Sequence, residues 1–292
     1  LILLEHGDRL PTVALIQILL NAYTPADSSL LVDGIFGRAT EAAVRTFQRT
    51  VMRTAPSGQI DSRTWVRLAQ EQHLQVRDLV DITDPLINQM ADVVRAEGSN
   101  PIVRGGGSNA VADIVPSIAA SGVRRGTLAL LRFQGHGNRG VQVVGYGTGC
   151  HVYYDIMHQR EVPPLEQCIA ERASVTPEDA AVVMAAMSRS ALSDSSLELP
   201  EVSAALRPLR DYLSPCGSIE FHGCQVGGGT RGARFLQRMA DLANVPVTAA
   251  QTRQVTGNAI RFRGPILSKF PNDSTLHRWA RNLPPLRSSR PA

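Results

Sequence analysis

The chain has 292 residues, 43% of them apolar and 19% charged, the composition of a soluble globular protein with room for two cores, one small and one of roughly 200 residues. Thirty basic against twenty-six acidic residues leave a net charge of +4, too mild for a nucleic-acid surface, and no run approaches the roughly 20 apolar residues of a membrane span. Cys150, Cys168, Cys216 and Cys224 are too few for a disulfide scaffold in a chain of this length and leave the redox compartment and their own pairing open.

Leu1-Ile2-Leu3-Leu4 is too short for a signal-peptide core, so any export route is expected to lie outside this chain. From Leu10 to Tyr23, Leu10, Val13, Leu15, Ile16, Ile18, Leu19 and Leu20 cover one side of a helix, with Pro11 tolerated in its first turn. Gly34 and Gly37 suit a tight turn, after which Ala42, Ala43, Val44, Phe47 and Val51 resume helical spacing. A second turn, Pro56-Ser57-Gly58-Gln59-Ile60, leads to Asp61, a good N-cap for a third helix from Ser62 to Gln70. Three short helices with two glycine turns make a compact bundle over 1–70.

These residues carry a resemblance. Val32, Asp33, Gly34, Phe36, Gly37, Thr40, Ala43, Val44, Phe47 and Gln48 fall in one register, followed by Gly58, Ile60, Asp61, Thr64, Trp65 and Leu68. In that register the segment resembles the three-helix peptidoglycan-binding module of bacterial cell-wall enzymes. The resemblance implies affinity for cell-wall glycan or its stem peptides, hence an extracytoplasmic protein in the periplasm, in the wall or secreted. Most of the matching positions are turn and core residues, so the motif does not fix the ligand contacts. A helical spacer without a ligand is the alternative.

Residues 71–78 are polar and read as a linker, and a second domain is expected over 79–282. Leu79-Val80-Asp81-Ile82 reads as a short strand, and Pro85 opens a helix to about Ala96. The Gly98 to Asn109 segment, with Gly105-Gly106-Gly107, lacks the Gly-Lys-Ser/Thr of a nucleotide site and reads as a loop. A helix from Ala110 to Ser121 precedes a buried strand, Leu128 to Gln134, that stops at Gly135-His136-Gly137. Val141 to Val144 reads as a strand, and helices open at Thr176 and at Pro200 or Glu201. A second apolar run, Ser218 to Phe221, stops at Gly223-Cys224 before a helix from Thr230 to Ala243. Strands at Val245 to Ala250 and Ala259 to Phe262 follow, and Leu283 to Ala292 is expected to be a disordered tail. Strands alternating with helices predict an α+β two-domain chain: an all-α bundle, then an α/β domain whose mostly parallel sheet is covered by helices on both faces.

Parallel strands that end at one sheet edge would bring His136 and Cys224 together, where open α/β sheets place their sites. A cysteine attacks as thiolate, favoured by a histidine or a helix N-terminus beside it. His136, flanked by two glycines, is sterically bare enough to reach a substrate as acid or base, and Asn138 is a candidate to orient it. Backbone amides at Gly137, Gly223 and Gln225 are candidates to hold an oxyanion. These two blocks resemble the caspase-like cysteine peptidases, in which an apolar strand ends in His-Gly, a later one in the nucleophilic Cys, and both lie on one edge of the sheet. The resemblance covers about residues 79–263 and implies catalytic roles for His136 and Cys224. The interval of 88 positions from His136 to Cys224 holds an extra segment, Cys150 to Val175, and the family's specificity pocket has no identifiable counterpart.

The expected activity is peptide-bond hydrolysis on peptidoglycan stem peptides or a wall-associated protein, with no cofactor and no resident metal. A non-catalytic wall-binding or adaptor protein with a degenerate domain is the alternative, and the sequence leaves the oligomeric state open. Cys150, His151, His222 and Cys224 could also form a Cys/His zinc set, although their spacing fits no compact motif.

Overall fold

A computed structural model describes residues 2–24, 29–70, 73–81, 85–96, 100–104, 111–144, 191–254 and 261–284. The glycine loop at 105–107, Cys150, His151, Cys168, the helix expected from Thr176 and nearly all of the tail from Leu283 lie outside these residues.

The N-terminal module contains α1 (Pro11–Asn21), α2 (Arg38–Phe47), extended by a π turn at Gln48–Met52, and α3 (Ser62–Gln70). A two-stranded antiparallel ribbon, β1 (Ile2–Leu4) with β2 (Ile60–Asp61), closes it. The motif residues build this scaffold. Phe36 and Phe47 are buried in its core, while Asp33 Oδ1 accepts from the Gln17 side-chain amide and the Ile35 N–H, both at 2.8 Å. The Gln48 amide ties the second turn together, donating to the Gln59 carbonyl at 2.9 Å and accepting from the Gly58 N–H at 2.9 Å. Asp61 caps α3 by accepting from the Thr64 N–H at 2.7 Å.

The main sheet has six strands in the order β11-β10-β9-β5-β3-β4. These are β3 (Gln75–Asp81), β4 (Ile102–Arg104), β5 (Leu128–Gln134), β9 (Leu213–Phe221), β10 (Val247–Ala250) and β11 (Ile266–Lys269). Only β11 runs antiparallel to its neighbour. A three-stranded antiparallel sheet of β6 (Gly137–Asn138), β7 (Val141–Val143) and β8 (Ala191–Ser193) follows β5 in the chain. The helices of this part are α4 (Pro85–Ala96), α5 (Ile114–Ala120), α6 (Pro200–Leu206), α7 (Leu209–Tyr212), α8 (Gly229–Ala243) and α9 (Leu276–Arg281).

The two faces of the sheet differ. Leu131, Phe133, Ile219 and Phe221 pack with Ile114, Ile118, Phe235 and Met239 into an apolar core against α5 and α8, with the Phe133 and Phe221 ring centroids 4.9 Å apart. Alternate residues on the opposite face form a polar row across the strands: Asp78, Arg132, Glu220, Thr248 and Ser268 stand in register. The module packs on this face through α1, whose residues Pro11 to Leu20 are all buried. Thr12 Oγ1 donates to Glu220 Oε1 at 2.8 Å, and Arg132 pairs with Asp78 through two 2.8 Å hydrogen bonds.

Three expectations change. The stretch 71–78 is not a linker throughout, because β3 begins at Gln75 and Val76, Arg77 and Asp78 pair with β5. The last strand is at Ile266–Lys269, whereas Arg261 and Phe262, the described end of the expected Ala259 to Phe262 strand, are not in a strand. The cores are not separate: the module's apolar cluster continues into Ala129 and Cys216 of the sheet.

Candidate functional site

The chain runs from β3 outward to β4 and returns to the other side of β3 at β5, so the order in which strands are added reverses between the parallel strands β3 and β5. Open parallel sheets place ligands beyond the strand ends at such a reversal. β5 and β9 pair through Phe133 and Phe221, and the His222 N–H donates to the Phe133 carbonyl at 2.9 Å as the strands end. Gly135-His136-Gly137 and Gly223-Cys224 therefore leave the sheet side by side. The two loops interlock at their glycines: a Cβ on Gly137 would lie 2.7 Å from Gly223 Cα and 2.8 Å from Cys224 N. His136 and Cys224 are both half-buried.

Gln142 on β7, which sequence reasoning missed, joins these loops. Its side-chain amide donates to the His136 carbonyl at 3.2 Å and the Val143 carbonyl at 2.9 Å, and its Oε1 accepts from the Gly223 N–H at 3.0 Å. The Gly140 N–H adds a 3.0 Å bond to the Val226 carbonyl. Cys224 Sγ donates to the Gln254 carbonyl at 3.2 Å. Gln254 is held in turn by its side chain, which donates to the Arg263 carbonyl at 2.9 Å and accepts from the Arg263 N–H at 2.8 Å.

The backbone support differs from expectation. The Gly223 N–H is taken by Gln142, and the Gln225 N–H donates to the Thr252 carbonyl at 3.0 Å, so neither amide is available to an oxyanion in this arrangement. The Cys224 N–H takes no acceptor among the described residues. Cys224 does not open a helix directly; α8 begins five residues later, at Gly229, after a turn in which Gln225 adopts a positive φ of 56°. Asn138 Oδ1 accepts from the Arg139 N–H at 2.8 Å, a bond within its own turn.

His222 and Cys224 do not share a direction, because β9 ends at Phe221. His222 turns to the module-facing side, with Nε2 3.0 Å from Glu220 Oε2 and its ring stacked on Phe262 at 4.3 Å between centroids. Of the zinc set, Cys150 and His151 lie outside the described residues, and no group of three or more His, Cys, Asp or Glu gathers among those described. Burial pushes the Cys216 thiol up, which suits a core residue.

Residues 9–68 match the family model described as a peptidoglycan binding domain. Residues 183–262 match a domain of unknown function (DUF4347), a segment that includes Cys224 and excludes His136. No curated protein and no solved structure matches the chain. The N-terminal module is thus of the peptidoglycan-binding type, which supports wall association, and no described helix is long and apolar enough to cross a membrane.

Proposed function

We propose that this chain is an extracytoplasmic, wall-bound cysteine hydrolase of caspase-like type, acting through His136 and Cys224 on a peptide bond of peptidoglycan stem peptides or of a wall-associated protein. The observation that carries the reading is the meeting of two glycine-flanked loops, one ending β5 and one ending β9, at the carboxyl edge of a parallel sheet. The Cys224 thiol leaves the Gln254 carbonyl and gives its proton to His136, and the thiolate attacks the substrate carbonyl carbon. In this reading the Cys224 N–H is the donor to the developing oxyanion. His136 then returns the proton to the departing amine, and water hydrolyses the thioester.

A second reading, a wall-binding adaptor with a degenerate domain, is favoured by the engagement of the Gly223 and Gln225 amides. Purified sacculi separate the two. Cys224→Ala is expected to abolish release of soluble peptide while leaving sacculus binding unchanged. Equal release by wild type and variant removes Cys224 as nucleophile, and absence of release by both favours the adaptor.

A further inference from the structure

The segment that follows β10 occupies two groups of the Cys224 loop at once. The Thr252 carbonyl accepts from the Gln225 N–H at 3.0 Å, and the Gln254 carbonyl accepts from Cys224 Sγ at 3.2 Å. A hydrogen bond from the neutral form of an acid disfavours its ionisation, and a carbonyl oxygen beside the sulfur disfavours the thiolate further. One short arm, 251–254, thus holds both the thiol that must ionise and the amide next to it.

This arm is tied to the returning segment, 261–265. The Gln251 N–H donates to the Pro265 carbonyl at 2.9 Å, and the Gln254 side chain bridges the N–H and carbonyl of Arg263. An added Cβ on Gly264 would come within 2.6 Å of Thr252 Oγ1, so the two segments lie close. The returning segment is fastened in turn to the module. The Arg261 guanidinium bonds Glu5 and, at 2.7 Å, Asp8, both in the turn after β1. Phe262 packs with the module's apolar cluster while its ring stacks on His222. Solvent reaches this latch, since the Arg261 and Glu5 side chains are 32% and 35% accessible. Arg261, Phe262, Gly264 and Pro265 also line a cavity of about 810 Å³ between the module and the sheet. The returning segment therefore borders open space and can shift without forcing overlap in a packed core.

We infer that the module restrains Cys224 through this arm: with the Arg261 latch closed the thiol and the Gln225 N–H are occupied, and opening the latch frees both. The arrangement is then the resting form of the site, and the engaged Gln225 amide has a cause other than a degenerate domain. The inference rests on the hydrolase reading in taking Cys224 as the reacting group, but its test reads the thiol directly.

The test measures alkylation of Cys224 by iodoacetamide at about pH 7, in which the thiolate displaces iodide, with each cysteine of the full chain scored by peptide mass. Arg261→Gln is expected to raise the Cys224 rate about fivefold, the scale of one lost hydrogen bond. Glu5→Gln combined with Asp8→Asn opens the latch from the module side and is expected to raise it as much. Charge alone predicts otherwise: losing a cation disfavours the thiolate and losing two anions favours it, so these variants would move the rate in opposite directions. Arg261→Lys, which keeps the charge, is expected to stay nearer the parent. Cys216 is buried, reports general loosening of the fold, and is expected to remain unreactive throughout. The inference is overturned if Arg261→Gln leaves the Cys224 rate unchanged or lowers it, if the two latch variants move it in opposite directions, or if Cys216 labelling rises in step. Release of peptide from sacculi is scored on the same proteins. Faster alkylation without release favours the adaptor and leaves the restraint standing, whereas unchanged alkylation removes the restraint whether or not peptide is released.

Discussion

A buried amide side chain that directs its hydrogen bonds to two separate loops is costly to replace, because each partner left unpaired keeps its desolvation penalty. Gln142 is such a residue: it is 0% exposed, and its three hydrogen bonds reach both the His136 and the Gly223 backbone. Gln142→Ala is expected to lower kcat on sacculi about tenfold or more while changing KM little, and to alter the pH profile of Cys224 alkylation. Gln142→Glu, which keeps the acceptor for Gly223 and loses the donor to His136, is expected to fall between the two. An unchanged alkylation profile in both variants would remove Gln142 as a positioning residue. That the His136 and Cys224 loops leave the sheet side by side was legible in the sequence, because each follows an apolar run and carries adjacent glycine. Gln142 and Gln254 were not, since their contacts span 81 and 30 residues of sequence and leave no local pattern.

Among the secondary-structure elements, the order of helices and strands was largely readable, and the missed start of β3 has a physical cause. Gln75 to Asp78 looked like a linker because a strand covered by apolar helices on both faces should not read Gln-Val-Arg-Asp. In this sheet one face carries a row of polar and charged residues instead, and the helix lying on it, α1, is mostly apolar all round because it is enclosed between the sheet and its own bundle. The Asp78–Arg132 pair is where that polar face is most exposed to failure, with side chains 0% and 6% accessible. Asp78→Ala leaves the guanidinium without its bidentate partner and is expected to cost about 3–5 kcal/mol in denaturant unfolding. Replacing both residues by apolar ones of similar volume, Asp78→Leu with Arg132→Met, is expected to cost much less.

Across the whole molecule, the module and the sheet are joined by a titratable contact. Burial alone pushes the Glu220 carboxyl up, but the His222 hydrogen bond, the His222 and Arg132 charges and the Thr12 hydroxyl together outweigh it and hold the group below the usual carboxylate range. A depressed folded-state pKa contributes stability that is complete above the unfolded value, about 4.3, and is lost as pH falls through the lower folded value. Thermal unfolding between about pH 5 and pH 3 should therefore show a steep loss in the wild type and a shallower one in Glu220→Gln. Equal slopes would show that the join does not depend on this group. The division into two recognisable parts could be read from the sequence, but their shared core could not, because the residues that merge them lie on neither part's motif.

Thr12 of α1 is bonded to Glu220, four positions before Cys224 on the same backbone run. Leu276 of α9 abuts Gly34 in the module's first turn, where an added Cβ would come within 2.7 Å. An anchor seated in this way is held to the sheet from α1 and from α9. A wall strand gripped by the bundle would meet the cleft at one offset and one angle, so susceptible bonds would be chosen by how far they sit from the grip. If Cys224 cleaves the wall as proposed, the fragments would be spaced regularly, as if measured against a ruler.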